Sequence, residues 1–182
     1  MEKIRRCKWV NLYNPNYIKY HDEEWGVLNL DEDYLFEMLI LESFQAGLSW
    51  ECVLNKREAF KKAYDSFDIN KVINYDDTKI KELLNNPDII RNKLKIKASI
   101  DNAKIFKKIQ DKYGSFKEFL LTYIPEIIYE NDKTTSSISD NISKRLKKEG
   151  MKFVGSTTIY SYLQAIGLIN SHDDECYKKS KI

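Results

Sequence analysis

Apolar residues fall at helical spacing along most of the chain and almost nowhere alternate with polar ones, so the pattern predicts helices and no strands. Tyr34, Leu35, Met38, Leu39 and Leu41 follow acidic residues suited to a helix N-terminus, which predicts a helix from about Asp31 to Ala46, stopped by Gly47. Ser49 can cap the next, Trp50 to Tyr64, with Val53, Leu54, Phe60 and Ala63 as its apolar stripe. A short acidic helix over Asp76–Leu84, a long Lys-rich amphipathic one over Ile89–Tyr113 and a short one over Ser115–Tyr123 follow. Two more, Ser139–Glu149 and Ser156–Ile166, flank a turn bounded by Gly150 and Gly155, and Gly167 closes the second. Asn11–Gly26, dense in Tyr, Asn and Trp and interrupted by Pro15, reads as an ordered loop or short turns, and Asn131–Ser137 as a loop. With no internal repeat, the chain reads as all-α, one domain over residues 1–182.

Composition narrows the class. With 182 residues, 42% hydrophobic and 32% charged, and only 6 Gly and 3 Pro, a folded, soluble helical domain with a sizeable core is expected. No apolar run approaches the roughly 20 residues of a membrane span, and MEKIRRCKWV lacks the apolar core of a signal peptide, so a cytoplasmic monomer with no membrane partner is expected. A net charge of +2 leaves nucleic-acid binding to local patches, such as Lys144, Arg145, Lys147, Lys148 and Lys152 beside the glycine turn. Three cysteines are too few for a disulfide framework and read as thiols or ligands.

Two chemistries meet between Gly150 and Cys176. Gly155 followed by Ser156, Thr157 and Thr158 leaves the N–H groups of a helix start bare, a sequence-independent seat for phosphate, although a G-x4-G turn also occurs between ordinary packed helices. His172 and Cys176, in His-x3-Cys spacing, share one face of a helical turn, and Cys7 with His21 can supply two more ligands from the N-terminal segment. Either half alone reads as ordinary core residues; the two together point to a closed Cys2His2 zinc site, structural because no position remains for substrate water. Cys52 is left over and reads as core. Tyr13, Tyr17, Tyr20 and Trp25 suit a pocket wall, or equally the interface of an N-terminal arm with the body.

The runs RCKWV, YIKYHDEEWGV, LFEMLILESFQAGLSW, NKREAFKKAYDSFD, IIRNKLKI and KFVGSTTIYSYLQAIGLINSH resemble the type I 3-methyladenine DNA glycosylase family of the helix-hairpin-helix superfamily, from Cys7 to about Tyr177. That resemblance implies a monofunctional enzyme releasing 3-methyladenine from alkylated double-stranded DNA, with its hairpin motif at about 139–167 and one zinc ion on Cys7, His21, His172 and Cys176. It also implies a base pocket of Glu42, Trp50 and Tyr20, with Trp9, Tyr17 and Trp25 as further walls. Where many members of the superfamily carry a catalytic Asp, this chain has Asn170, in Ile169-Asn170-Ser171-His172. The chemistry tolerates that, because N3-methylation makes the base cationic and weakens its bond to the sugar. Trp50 suits stacking on the cationic purine, Glu42 accepting from its exocyclic amine, and Leu48, after Gly47, wedging into the vacated stack. Gly155, Ser156, Thr157 and Lys152 would hold the DNA backbone. Two other readings remain: a zinc-closed DNA-binding module without catalysis, and a glycosylase for a different lesion.

Overall fold

Pro15 opens a helix where the sequence suggested loop. The computed structural model describes residues 4–179, and in it α1 runs over Pro15–Glu23. Pro sits at a position where its missing N–H costs nothing, and the Asn14 side chain accepts from the N–H groups of Asn16 and Tyr17. The helix carries Tyr17, Tyr20 and His21 on one body, so three residues expected on a loop have fixed mutual positions.

Helix α2 (Glu32–Gln45) is the central element: every residue from Leu35 to Phe44 is buried, including Glu37 and Glu42. Asp31 caps its start. At its end the buried Lys95 ammonium donates to the carbonyls of Phe44 (2.8 Å) and Ala46 (2.5 Å), taking the place of the missing helical partners. The segment expected as one helix from Trp50 to Tyr64 is two, α3 (Trp50–Leu54) and α4 (Arg57–Ala63), because Asn55 ends the first and Lys56 departs from helical geometry. The anticipated stripe of Val53, Leu54, Phe60 and Ala63 is buried, whereas Cys52 is only half-buried, a correction to its reading as core. A 3-10 turn at Asp65–Phe67 and α5 (Ile69–Val72), neither anticipated, precede α6 (Asp77–Asn85).

Helix α7 (Lys93–Tyr113) starts four residues later than its periodicity suggests, where Asn92 caps it, and packs on α2. It is followed by α8 (Phe116–Leu121), α9 (Ser137–Glu149) and α10 (Ser156–Ala165), the last packed on both α9 and α2. Gly150, at φ 105, ends α9 in the left-handed region. Asn102 of α7 then grips the turn, donating to the Lys152 carbonyl and accepting from its N–H at 2.9 Å each. Two two-residue strands, β1 (Ile128–Tyr129) and β2 (Ile169–Asn170), pair in parallel. They are a small exception to the all-α expectation, too short to leave an alternating pattern. Among the described residues no helix is long and apolar enough to cross a membrane.

Candidate active site and metal centre

A cavity of about 380 Å³ opens among α1, α2, α3 and α10. Trp9, Tyr17, Tyr20, Trp25, Glu42 and Trp50, all six expected pocket residues, line it. Tyr13 does not: it is 97% exposed. The Tyr20 and Trp50 rings meet at 5.3 Å, and Trp9 packs against Tyr17 at 5.2 Å and Trp25 at 4.8 Å, giving a wall of indole and phenol faces. Sequence reading missed Gln45, Ser161, Gln164 and Ser171 on this wall, and Asp132 and Lys133 at it. Helical spacing could have found Gln45 and the pair Ser161 and Gln164, which lie three residues apart on one face; the others come from loops.

The two buried carboxylates of α2 differ in one respect. Glu37 accepts from Arg57 Nε at 2.7 Å, and Arg57 also reaches Glu24 at 2.6 Å, so that charge is matched. Glu42 is 3% exposed, and its Oε2 has no hydrogen-bond partner. Burial pushes its carboxyl up to about 8, so near neutral pH the empty site holds it mostly protonated. An unpaired carboxyl facing an aromatic cavity suits a ligand with a positive charge or N–H donors, which would draw it into the ionised, strongly accepting form. Trp50 Nε1 is likewise buried without a partner.

Behind the aromatic wall lie Cys7, His21, His172 and Cys176, all buried, with ligand atoms within 4.8 Å of one another. Cys7 Sγ stands 3.4 Å from His172 Nδ1, and Cys176 Sγ 3.4 Å from His21 Nε2 and 3.7 Å from His172 Nδ1. Tetrahedral zinc with ordinary Zn–S and Zn–N bonds puts sulfur and nitrogen about 3.6 Å apart, so the donors fit such an ion. The surroundings fit too. His21 Nδ1 lies 2.7 Å from Asp22, which Arg6 holds, and the N–H groups of Asp173 and Lys178 donate to the two sulfurs at 3.3 and 3.5 Å. Burial outweighs these contacts for the thiol of Cys7, pushing it up to about 12, and lowers His172 to about 4, which leaves both imidazole and thiol uncharged without a cation. The centre joins the N-terminal segment, α1 and the residues after β2. Trp25, edge-on to His172 at 4.7 Å, links it to the cavity.

Two further features face outward. Gly47, at φ 77, turns the chain between α2 and α3 and leaves Leu48 41% exposed. At α10, Gly155 is the N-cap and no side chain satisfies the first N–H groups. Gly155 has φ −61 and a Cβ there would meet nothing within 4 Å, so neither backbone strain nor internal packing requires glycine. Open space over bare N–H groups is what an approaching anion needs. Ser156 already bonds Ser139 through its hydroxyl at 2.8 Å, and Thr157 stands beside it in the first turn. Asn170 is not among the residues lining the cavity: its amide donates to the Gly26 carbonyl at 3.4 Å and accepts from the His172 N–H at 3.3 Å.

A family model described as methyladenine glycosylase matches residues 9–179. The chain is 41% identical to DNA-3-methyladenine glycosylase 1 of Escherichia coli, over 95% of this chain and 96% of that protein. It is 36% identical to DNA-3-methyladenine glycosylase of Haemophilus influenzae, over 94% and 96% respectively. Among solved structures it is similar to the Staphylococcus aureus 3-methyladenine DNA glycosylase I, with TM-score 0.92, 34% identity and 97% of each chain covered. It is also similar to a variant 3-methyladenine DNA glycosylase I in complex with 3-methyladenine, with TM-score 0.91, 34% identity and coverage of 97% and 98%.

Proposed function

The chain belongs to the methyladenine glycosylase family, and from that premise we propose how its pocket hydrolyses the N-glycosidic bond of 3-methyladenine in alkylated double-stranded DNA. The protein is a DNA-3-methyladenine glycosylase I. The observation that supports the site assignment best is Glu42, buried and unpartnered inside a cage of aromatic faces.

An N3-methylated adenine in DNA is cationic, and its extruded ring stacks on Trp50 with Tyr20 beside it, where cation–π attraction contributes about 0.5 to 2 kcal/mol. Neutral adenine gains less from the same faces, so the cage selects for charge. Glu42 accepts from the exocyclic amine; the incoming cation lowers its carboxyl from about 8 and draws it into the ionised form, giving an ion pair that the empty site lacks. Trp9, Tyr17 and Trp25 close the wall. Leu48 fills the gap left in the duplex, and the α10 start at Gly155, Ser156 and Thr157, with Lys152, holds a backbone phosphate. Ser161 and Gln164 follow Gly155 on the same helix by roughly 9 to 14 Å of rise, so one rigid element spans the phosphate seat and the cavity.

Cys7, His21, His172 and Cys176 hold one zinc ion, which supplies folding free energy and no chemistry, because the four protein ligands complete its shell. The test of the whole reading is to incubate the protein with methylated DNA and identify the released base. Release of 3-methyladenine with intact strands is expected; no release, or release of another base instead, overturns it.

A further inference from the structure

The turn that carries Leu48 has no packing to hold it. Gly47, Leu48 and Ser49 are exposed, and a Cβ built on Gly47 would meet nothing within 4 Å. Helix α2 does not run into it through an ordinary cap either: Ala46 has ψ 115, and the last turn holds no basic side chain of its own. Its final carbonyls are satisfied from elsewhere. Lys95 Nζ, on α7, donates to the carbonyls of Phe44 at 2.8 Å and Ala46 at 2.5 Å, while the carbonyl between them, that of Gln45, accepts from the Leu48 N–H at 2.6 Å. Lys95 is 7% exposed; burial pulls its ammonium below the usual lysine value, and no carboxylate among the described residues offsets that. A buried cation held only by carbonyls is a poor way to stabilise a fold, since an apolar side chain of the same length avoids its desolvation. What the ammonium supplies, and an apolar chain cannot, is a fixed course for the backbone from Gln45, on the cavity wall, to Leu48. The same face of α7 holds the hairpin. Asn102, seven residues on and about 10 Å along the axis, grips the Lys152 backbone, and the Phe153 ring, on a residue at φ 56, lies 5.9 Å from Lys95 Nζ.

We propose that Lys95 is a positioning residue for base extrusion: by clamping the end of α2 from α7, it aims Leu48 at the duplex while the hairpin, held by the same helix, sits on the backbone. This rests on the glycosylase reading above and on the wedge role given there to Leu48. Lys95 touches neither the base nor the sugar and acts through the carbonyls of Phe44 and Ala46. The base pocket does not depend on it. Glu42 lies a full turn before the end of α2, and Trp50 is fixed separately, by the Ser49 cap on α3 and by the Tyr20 ring at 5.3 Å. Loss of the clamp therefore leaves a cavity that still takes the free base and a wedge that no longer enters the stack in register.

The experiment compares wild type with Lys95→Met, Lys95→Arg, Leu48→Gly and the double variant Lys95→Met/Leu48→Gly by single-turnover release of 3-methyladenine from methylated duplex DNA at saturating protein. Free 3-methyladenine affinity, metal content and melting temperature are measured alongside. Lys95→Met keeps the length of the side chain and loses its donors: release slows by about tenfold, while free-base affinity stays within about twofold and metal content is that of wild type. Lys95→Arg, which keeps charge and donors, recovers most of the rate. The double variant is no slower than Leu48→Gly alone, because without the wedge there is nothing left to aim. A lysine that served the fold alone would multiply the two losses instead, and would lower melting and free-base affinity together. Multiplied losses, a loss that tracks base affinity, metal or stability, or a wild-type rate in Lys95→Met overturns the assignment. Failure of both Lys95 variants to fold gives the residue to stability alone and overturns it too. Leu48→Gly at the wild-type rate would remove the wedge and the role of Lys95 with it, whereas absence of release by wild type would remove the glycosylase reading itself.

Discussion

A Cβ placed on Gly26 would stand 2.9 Å from His172 Nε2, and Gly26 itself sits at φ +73. The Gly26 carbonyl also accepts from Asn170. This one glycine, just past α1, therefore sets how closely the N-terminal segment approaches the residues after β2, and with that the closure of the Cys2His2 cluster. Gly26→Ala should push the His172 ring out of place. The expected outcome is protein with well under the roughly one equivalent of zinc a closed site holds, read by elemental analysis. Full metal content with unchanged melting would show that the ring has room to move.

Cys176→Ala removes one candidate ligand of the same cluster, the one of the four nearest the surface at 5% exposed. If the metal serves folding, the melting temperature should fall by roughly 10 °C or more, while single-turnover release at low temperature stays within about threefold of wild type. A variant as stable as wild type would remove the structural role.

Glu42→Gln should stabilise the free protein while disabling it. The folded carboxyl titrates at about 8, above its ordinary value near 4.5, so its contribution is fully present below the ordinary value and is lost as pH rises through 8. The variant has no such loss. Its melting advantage should therefore widen from pH 5 to pH 8, reaching about 2–3 kcal/mol near neutrality, and free 3-methyladenine affinity and base release should both fall. An advantage independent of pH would contradict the buried neutral carboxyl. Lost turnover with intact base affinity would make Glu42 something other than the recognition group.

Gly155→Asp places a negative charge where a backbone phosphate is proposed to sit. Binding should weaken by about tenfold for damaged and undamaged duplex alike, measured by anisotropy at fixed salt. A loss restricted to methylated DNA would move the defect into the pocket.

Leu48→Gly removes an apolar side chain that is 41% exposed and outside the buried core. Release from duplex DNA should slow, while affinity for free 3-methyladenine stays within about twofold, since the wedge acts on the stack and not on the base. Equal slowing on single-stranded substrate would argue against insertion.

Local rules made much of this molecule legible from its residues alone. The buried length of α2, the serine and glycine stops around α8, α9 and α10, and the left-handed turns at Gly47, Gly150 and Gly167 all rest on short-range patterns. The four residues of the buried Cys2His2 cluster stood out because the chain has only two His and three Cys. Pro15 misled, since the same residue that breaks a helix interior also begins one, and only the Asn14 cap distinguishes the cases. The break at Asn55–Lys56 and the short turns near Asp65 escaped because packing overrode a continuous apolar stripe. What the tertiary structure alone decided is the electrostatic identity of each polar group. Glu37 and Glu42 lie on one buried helix, yet Arg57 arrives from α4 to match the first and nothing arrives for the second. Glu130 stands abreast of Ser171 only because a two-residue parallel pair aligns β1 with β2. Desolvation and pairing depend on which distant segments close around a side chain, and spacing along the chain carries no record of that.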